Sequence, residues 1–450
     1  MKIIEILKLD LRNMEITKIN KRVINFLEKY CMHFHNIDIE KQVHLFLDEM
    51  ERGLIGEKSS LKMYPTFIQF NKKIPINKPV LVLDAGGTNL RSAIVTFNDN
   101  NKPSIENIKY TSMPGSKNEV SKDEFFKVIV ENIKDIVEET DNIGFVFSYP
   151  IEIYSNRDAK LVKFNKEIKA KEVEGEFIGE NLMSALYKIG LKNNKKIVIL
   201  NDTVAALLSG ISVSEKKTFE SFIGFILGTG LNACYIEKNI NIKNNFSNQH
   251  DDQIINIEAG NFSKSQRGKI DLLFDRESLE PGRNSYEKMF SGAYLGGLAT
   301  KVVKFAIRDG LFSNKFSEKF NNSMLLESRD VDDFLDSPTK NIKLVNLIKN
   351  ANQTDLISLY YIFDNLVERA SILTSIVLSS AIIKSDKGHN PLNPVFISAE
   401  GSSFYKLKNF QMRVEFYMMK IFSKRDNYYY EIHKIDNAIM LGAAIAGLNN

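Results

Sequence analysis

A chain of 450 residues is too long for one ordinary hydrophobic core, so two large lobes are expected. Apolar residues make up 43% and charged residues 26%, and the formal net charge of +4 is spread without a long basic run, which gives no reason to expect nucleic acid or an acidic membrane surface as partner. The two cysteines, Cys31 and Cys234, exclude a disulfide framework and fit a reducing compartment.

In chain order, Met1 to Leu11 mixes apolar and charged residues as a short strand or helix would, with no continuous apolar stretch of the secretory kind, so a cytoplasmic protein is expected. His33 and His35 have no carboxylate or thiol at ligand spacing and are expected to be packed or exposed histidines. Val80–Leu83 is an apolar run ending in Asp84-Ala85-Gly86-Gly87-Thr88-Asn89, after which Arg91 to Phe97 resumes strand character. Lys122–Glu139 has helical periodicity through Phe125, Ile129, Ile133, Ile136 and Val137. Ile143–Phe147 and Lys196–Leu200 read as buried strands, and Thr203–Ser209 opens a helix. Phe222–Leu227 ends in Gly228-Thr229-Gly230-Leu231-Asn232, and Ala233 to Ile236 resumes the strand. Lys238–Asn256 reads as a polar excursion on the solvent side, and Ser313–Lys343 as irregular with a short helix. Glu287–Val303 and Leu356–Ile383 read as long helices; the apolar stretch Ile372 to Ile383 is too short to span a bilayer and reads as a buried helix.

The two glycine turns carry the first chemistry. Glycines let successive backbone N–H groups approach phosphate oxygens, and Thr or Asn beside them adds donors. The P-loop spacing is absent. Gly228 to Ala233 formally satisfies the dinucleotide pattern, but that fingerprint needs a helix next, and Cys234-Tyr235-Ile236 reads as strand. One such turn alone is ordinary turn chemistry. Two of them, one in each half of the chain, predict related lobes that each present a turn to a shared cleft.

Polar residues also gather where apolar strands end: Ser148, Asn201-Asp202, Asn232 and Glu258. Taken singly, Asp202 could cap the helix that follows it, and Glu287 could be a carboxylate favoured at a helix start. Gathered at the lip of an α/β sheet, such amides and carboxylates suit a polyhydroxylated ligand, whose hydroxyls both donate and accept.

These residues carry a family resemblance. Leu83-Asp84-Ala85-Gly86-Gly87-Thr88-Asn89-Leu90-Arg91 resembles the first phosphate motif of hexokinases, and Phe147-Ser148-Tyr149-Pro150 their sugar-binding segment. Asn201-Asp202-Thr203-Val204 is similar to their catalytic segment, Gly228 to Tyr235 to their second phosphate motif, and Glu400-Gly401-Ser402 to their adenosine-binding turn. Pro281-Gly282 with Glu287-Lys288-Met289, and Phe46–Leu54 with Met63–Phe67, are also close to family segments, in family order.

The resemblance implies an α/β fold of the two-lobed, actin-like (ribonuclease-H-like) ATPase kind with a central cleft. The large lobe would comprise residues 1–74 and 201–434, the small lobe residues 75–200 and 435–450. The implied activity is ATP-dependent phosphorylation of the 6-hydroxyl of glucose and related hexoses, with magnesium entering as Mg-ATP. Carried over by position, Asp202 is the catalytic base; Ser148, Asn165, Lys166, Asn201, Asp202, Asn232, Glu258 and Glu287 hold the sugar. Asp84, Gly86, Gly87, Thr88, Asn89, Arg91, Gly228, Thr229 and Gly230 face the phosphates, with Asp84 near the metal through water, and Gly401 and Ser402 lie against the adenosine. The base needs no raised pKa for this chemistry, since the hydroxyl proton becomes acidic as the P–O bond forms. Departures from the family pattern are Asn165 and Glu167 near the sugar, Ala259 where many relatives carry tryptophan, and Glu400 where aspartate is commoner; they bear on affinity and leave the reaction type intact. The rival classes are a sugar-sensing regulator on the same scaffold, which can dispense with the base, and an actin-like structural ATPase, which has no use for the sugar constellation.

Overall fold

Two open sheets share one strand plan, and each is built around one of the glycine hairpins. The computed structural model describes residues 2–164, 168–191, 195–213, 218–243, 251–321, 324–338, 342–349 and 351–449. Helices α1 (Lys2–Lys29) and α2 (Ile39–Leu54) come first; Asp38 caps α2 by accepting the Lys41 N–H, and Val43, Phe46, Met50 and Leu54 line its buried side. Strand β1 (Tyr64–Pro65) precedes β2 (Val80–Gly86), β3 (Asn89–Phe97) and β4 (Pro103–Ser112). Helix α3 (Lys122–Ile133), β5 (Asn142–Phe147), the small hairpin β6 (Ile151–Ile153) and β7 (Ala159–Leu161), α4 (Ile178–Lys188) and β8 (Lys196–Leu200) follow. The first sheet has the order β4-β3-β2-β5-β8, an antiparallel meander of three strands extended by two parallel ones.

The second half restates this plan. Helix α5 (Asp202–Val213) leads to β9 (Ser221–Leu227), β10 (Leu231–Lys238) and β11 (Asp252–Asn256). A helical block of α6 (Lys269–Glu277), α7 (Leu295–Arg308), α8 (Asn314–Asn321), α9 (Ser328–Asp336), α10 (Ile342–Ile348) and α11 (Gln353–Ser385) intervenes before β12 (Val395–Glu400). Helices α12 (Ser402–Lys406) and α13 (Phe410–Phe422), strand β13 (Tyr430–His433) and helix α14 (Ala438–Asn449) complete the described elements. The order is β1-β11-β10-β9-β12-β13, again an antiparallel set with β12 and β13 added in parallel. The repeat seen in the glycine turns is thus a repeat of sheet topology.

Strand alternation sorts the side chains into three cores. In the first sheet Leu81, Leu83, Ala85, Phe145, Phe147 and Ile199 pack outward with α3 and α4. Val80, Val82, Val146, Val198 and Leu200 turn the other way, onto α5 and α14. In the second sheet Ile223, Phe225, Leu227, Ala233, Tyr235 and Ile255 pack with the helical block, while Cys234 and Ile254 face α5. Helices α5 and α14 therefore lie between the two sheets. Their backbones approach closely: a Cβ on Gly442 would lie 1.8 Å from the Ala205 carbonyl oxygen, which only glycine permits.

Some elements differ from the sequence reading. The helix expected over Lys122–Glu139 stops at Ile133, and a 3-10 turn (Val137–Glu139) keeps Ile136 and Val137 in the same core. The helix expected over Glu287–Val303 is a 3-10 turn (Glu287–Met289), a break, and α7; the break occurs because the Gly292 N–H is spent on the Gly228 carbonyl. Lys238–Asn256 is not wholly an excursion, since β11 pairs along β10. Ser313–Lys343 contains α8, α9 and the start of α10, amphipathic helices whose charged faces mask Phe316, Phe320, Val331 and Phe334. The first residues belong to the long α1. Helix α11 spans 33 residues, long and apolar enough to cross a membrane by length and composition, but its side chains from Arg369 to Ile382 are buried within the protein.

Candidate active site

The alternation that builds the cores also gathers the polar residues. Asp84 and Ser148 continue the α5-facing positions of β2 and β5, while Asn232 and Asn256 share the α5-facing side of β10 and β11 with Cys234 and Ile254. Helix α5 starts where β8 ends, so Asn201 and Asp202 arrive at the same place. Asn201 is the cap: its Oδ1 accepts the Thr203 N–H (2.9 Å) and hydroxyl (2.6 Å). Asp202 is the first helical residue and also accepts the Thr203 N–H, at 2.7 Å. The capping role considered for Asp202 thus falls mainly to Asn201, leaving the Asp202 carboxylate at the cleft.

A continuous polar path runs from one sheet to the other. Ser148 hydrogen-bonds Asp202, and the Asp84 charge acts on the same carboxyl. Asn232 Nδ2 lies 3.5 Å from Asn201 Oδ1 and donates to Asn256 Oδ1 at 2.8 Å. Asn256 Nδ2 donates to Glu258 Oε1 at 2.9 Å, and Asn232 Oδ1 accepts the Ala233 and Ala259 N–H groups. Glu258 itself adopts left-handed backbone (φ 59°), an uncommon state for a non-glycine residue, which turns its carboxylate back toward this path. Glu287 Oε2 closes the path by accepting the Leu231 N–H at 2.8 Å.

Burial shifts the acids of this path in one direction. Asp202 is pushed up to about 6, by burial first and then by the Asp84 charge, against the hydrogen bonds from Thr203 and Ser148. Glu287 is pushed up to about 7 by burial, with Glu258 adding to the rise and the Leu231 N–H opposing it. Glu258 and Asp84 also lie above the ordinary carboxylate range because they are buried, Asp84 in spite of Arg91. The expectation that the base needs no raised pKa is therefore modified: the site supplies a raised one. Such clustering of shifted acids marks a site built for polar ligands.

The glycine turns flank this path. Arg91 holds Asp84 Oδ2 through Nε (2.9 Å) and Nη2, while Oδ1 points toward Gly86. Gly87 is left-handed (φ 59°) and, like Thr88 and Asn89, exposed; its carbonyl accepts the Tyr149 hydroxyl at 2.7 Å. In the second turn Gly228 is buried and Gly230 half-buried, with Thr229 exposed between them. Gly228 O accepts the Gly292 N–H (2.8 Å) and the Ser403 hydroxyl (3.2 Å), and a Cβ on Gly230 would lie 2.9 Å from Glu287 Oε2. Gly401 sits against it with φ 108°, a conformation that only glycine adopts readily, and Ser402 opens α12 beside it. Glu400 lies between this turn and the strand end beyond it: its carboxylate accepts the Ile435 and Gly401 N–H groups and has Lys434 near it.

Of the expected site residues, Asp84, Arg91, Ser148, Asn201, Asp202, Asn232, Glu258 and Glu287 come together as described, with the Gly86–Asn89 and Gly228–Gly230 turns and Gly401-Ser402 at the rim. Asn165 and Lys166 lie outside the described residues. Sequence reasoning missed Asn256, which is 2% exposed and central to the path; the signal was a single amide inside the apolar run Ile254–Ile257.

Comparison with known proteins agrees with this geometry. Two family models, both described as hexokinase, match residues 26–212 and 222–448. Hexokinase of Schistosoma mansoni is 32% identical over 323 residues, covering 68% of this chain and 70% of that one. Hexokinase-1 of Schizosaccharomyces pombe is 34% identical over 299 residues, covering 63% of this chain and 60% of that one. The chain spans less than half of human hexokinase-2, matching 45% of its length at 29% identity. Among solved structures, Schistosoma mansoni hexokinase complexed with glucose superposes with a TM-score of 0.78 at 26% identity, over 96% of this chain and 99% of that one. Repeated sheets, paired glycine turns and the Asp202 constellation all coincide with two adjoining matches that together cover both halves, and the chain belongs to the hexokinase family, with its actin-like two-lobed fold.

Proposed function

We propose that this protein transfers the γ-phosphoryl group of ATP to the 6-hydroxyl of glucose and related hexoses in the cytoplasm. The observation that carries the reading is the single polar path from Asp84 and Asp202 to Glu258 and Glu287, which joins a proton acceptor to a set of sugar-suited amides and acids. Asp202, held by Thr203 and Ser148, accepts the hydroxyl proton as the new P–O bond forms. A value of about 6 leaves it mostly ionised at neutral pH while keeping it a better base than an exposed aspartate. Asn201, Asn232, Glu258 and Glu287 fix the sugar ring, and Lys166, by its motif position, adds positive potential.

Asp84 and Asp202 are carboxylates close enough to disfavour each other's charge, a hard-oxygen pair that suits a divalent cation. Among the described residues no cluster of three or more His, Cys, Asp or Glu is placed to hold an ion. Magnesium would supply charge neutralisation on the phosphates, with Asp84 beside it through water. The lobes would comprise residues 1–74 with 201–434, and 75–200 with 435–450. A hexose touching Ser148 on one side and Glu258 and Glu287 on the other has more partners in a closed cleft, and that difference drives closure and expels water.

A coupled assay with ATP, magnesium and a panel of glucose, mannose, fructose and glycerol tests the reading. Each missing hydroxyl strands a buried partner at about 1–3 kcal/mol, so glycerol is expected to be a very poor substrate. Glycerol matching glucose in kcat/KM would sink the hexose assignment.

A further inference from the structure

The segment that leaves α2 for the first sheet pairs with β11 beside the polar path, and none of its side chains has yet been given a role. It is pinned at both ends to β11: the Met63 N–H reaches the Ile257 carbonyl at 3.5 Å, and the Thr66 N–H donates to Ile254 at 3.1 Å. Met63 (φ 48°) and Phe67 (φ 56°) both adopt left-handed backbone, a costly state for large side chains that persists only where the surroundings impose it. Leu61 and Met63 are seated against Gly53 of α2, where a Cβ would meet Met63 Cγ at 2.5 Å. Two strained residues thus bracket Tyr64-Pro65-Thr66 and hold it in one register.

That register decides where Tyr64 points. Tyr64 is the direct antiparallel partner of Asn256, and opposed residues of an antiparallel pair put their side chains on the same face. Asn256 uses that face to bind Asn232 and Glu258. Pro65, paired with Ile255, takes the opposite face. Tyr64 is half-buried, so its ring is partly enclosed while part of it remains open. The ionisation of its phenol is disfavoured by burial first, then by Glu258 of the path and Glu152 of β6, so the phenol has carboxylates from both halves of the molecule near it.

We propose that Tyr64 is a further hexose-contacting residue: its ring walls the sugar pocket beside Asn256 and Glu258, and its hydroxyl helps to set which hexoses are accepted. The inference rests on the hexokinase reading, and deepens it by naming a specificity residue.

The test compares wild type with Tyr64→Phe, which keeps the ring, and Tyr64→Leu, which removes it. Glucose, mannose, 2-deoxyglucose and fructose are each assayed for KM and kcat, and glucose binding is measured by calorimetry. The expected result is a KM for glucose raised about three- to tenfold in Tyr64→Leu, with kcat within twofold, and a ratio of kcat/KM between two of the sugars shifted at least threefold in both variants. The KM-against-kcat split and the changed sugar ratios separate a contact from a structural role, because general loosening would lower kcat or melting temperature for all sugars alike. Sugar ratios within 1.5-fold of wild type in both variants, with wild type active, overturn the role of Tyr64 and leave the hexokinase reading standing. Absence of hexose binding and turnover in wild type overturns that reading and the Tyr64 role with it.

Discussion

The two glycine turns follow the same strand–turn–strand plan, yet their surroundings differ sharply. Gly86–Asn89 projects into the open: a Cβ on Gly87 would meet nothing within 4 Å, and the turn is tied back by the Tyr149 hydroxyl and by Met113 donating to Thr88. Gly228 and Gly230 are packed against Gly292, Ser403, Gly401 and Glu287, with Thr229 exposed between them. Each turn also stands beside a buried acid of the path whose pKa is raised. The open turn follows Asp84, whose charge bears on Asp202, and the enclosed turn offers the Leu231 N–H to Glu287. On the proposed function, this duplicated backbone device would serve two duties, rate at the open turn and binding at the enclosed one.

The sharpest way to break this division is Asp202→Asn. It keeps the shape and one acceptor while removing the base, so kcat is expected to fall about 10²–10⁴-fold with glucose affinity by calorimetry nearly unchanged. Near-normal kcat would remove Asp202 from the chemistry. At the other turn, Glu287→Gln is expected to weaken glucose binding by about 1–3 kcal/mol, read as a higher KM, while the KM for ATP stays close to wild type. An ATP effect as large as the glucose effect would dissolve the distinction between the turns.

Substituting the glycines sharpens the same contrast. In Gly401→Ala the new Cβ meets the Leu227 carbonyl oxygen at 2.3 Å in a backbone state foreign to alanine, so a stability loss of about 1–3 kcal/mol and a weaker ATP KM are expected. Gly87→Ala has room, and only its left-handed backbone costs it, about 1 kcal/mol. Denaturant unfolding of the two variants should rank them in that order.

Two smaller effects follow from the raised acids and from the cleft. Asp202 and Glu287 hold their protons more tightly when folded than when unfolded, so the stability they contribute is fully present below about pH 4 and is lost as pH rises through about 6 and about 7. Glu287→Gln should therefore gain in melting temperature relative to wild type as pH rises from 5 to 8, and a constant difference would contradict the shift. Saturating glucose alone should lower the radius of gyration in small-angle scattering; no change, with binding confirmed, would mean that the cleft does not close this way.

Much of the site was legible in the sequence because its chemistry sits where apolar runs stop. Asp84, Ser148 and Asp202 each follow such a run, and the hairpins around the glycines were visible from strand character on both sides. Asn256 was hidden because it lies inside a run, where only the period-2 alternation with Ile255 marks it as facing the cleft. The break before α7 was hidden for a different reason: Ser291 and Gly292 interrupt a helical pattern to serve Thr229 and Gly228, more than 60 residues away in sequence, and no local propensity encodes that partnership. Helices α8 and α9 were obscured by their charged faces, which look like loop composition until their apolar stripes are counted.

The seat of α14 has a consequence for how the protein is made. This helix packs on β2, β5 and α5, with a Cβ on Gly144 excluded by the Ala443 carbonyl at 1.9 Å. One apolar face of the first sheet, with Val80, Val82, Val146 and Val198, is therefore covered in part by residues synthesised about 240 positions after β8 ends. At roughly 5–20 residues per second, a ribosome leaves that face incomplete for on the order of 10–50 s. During that interval the nascent first half is an unfinished sheet with exposed valines until α14 emerges and covers them.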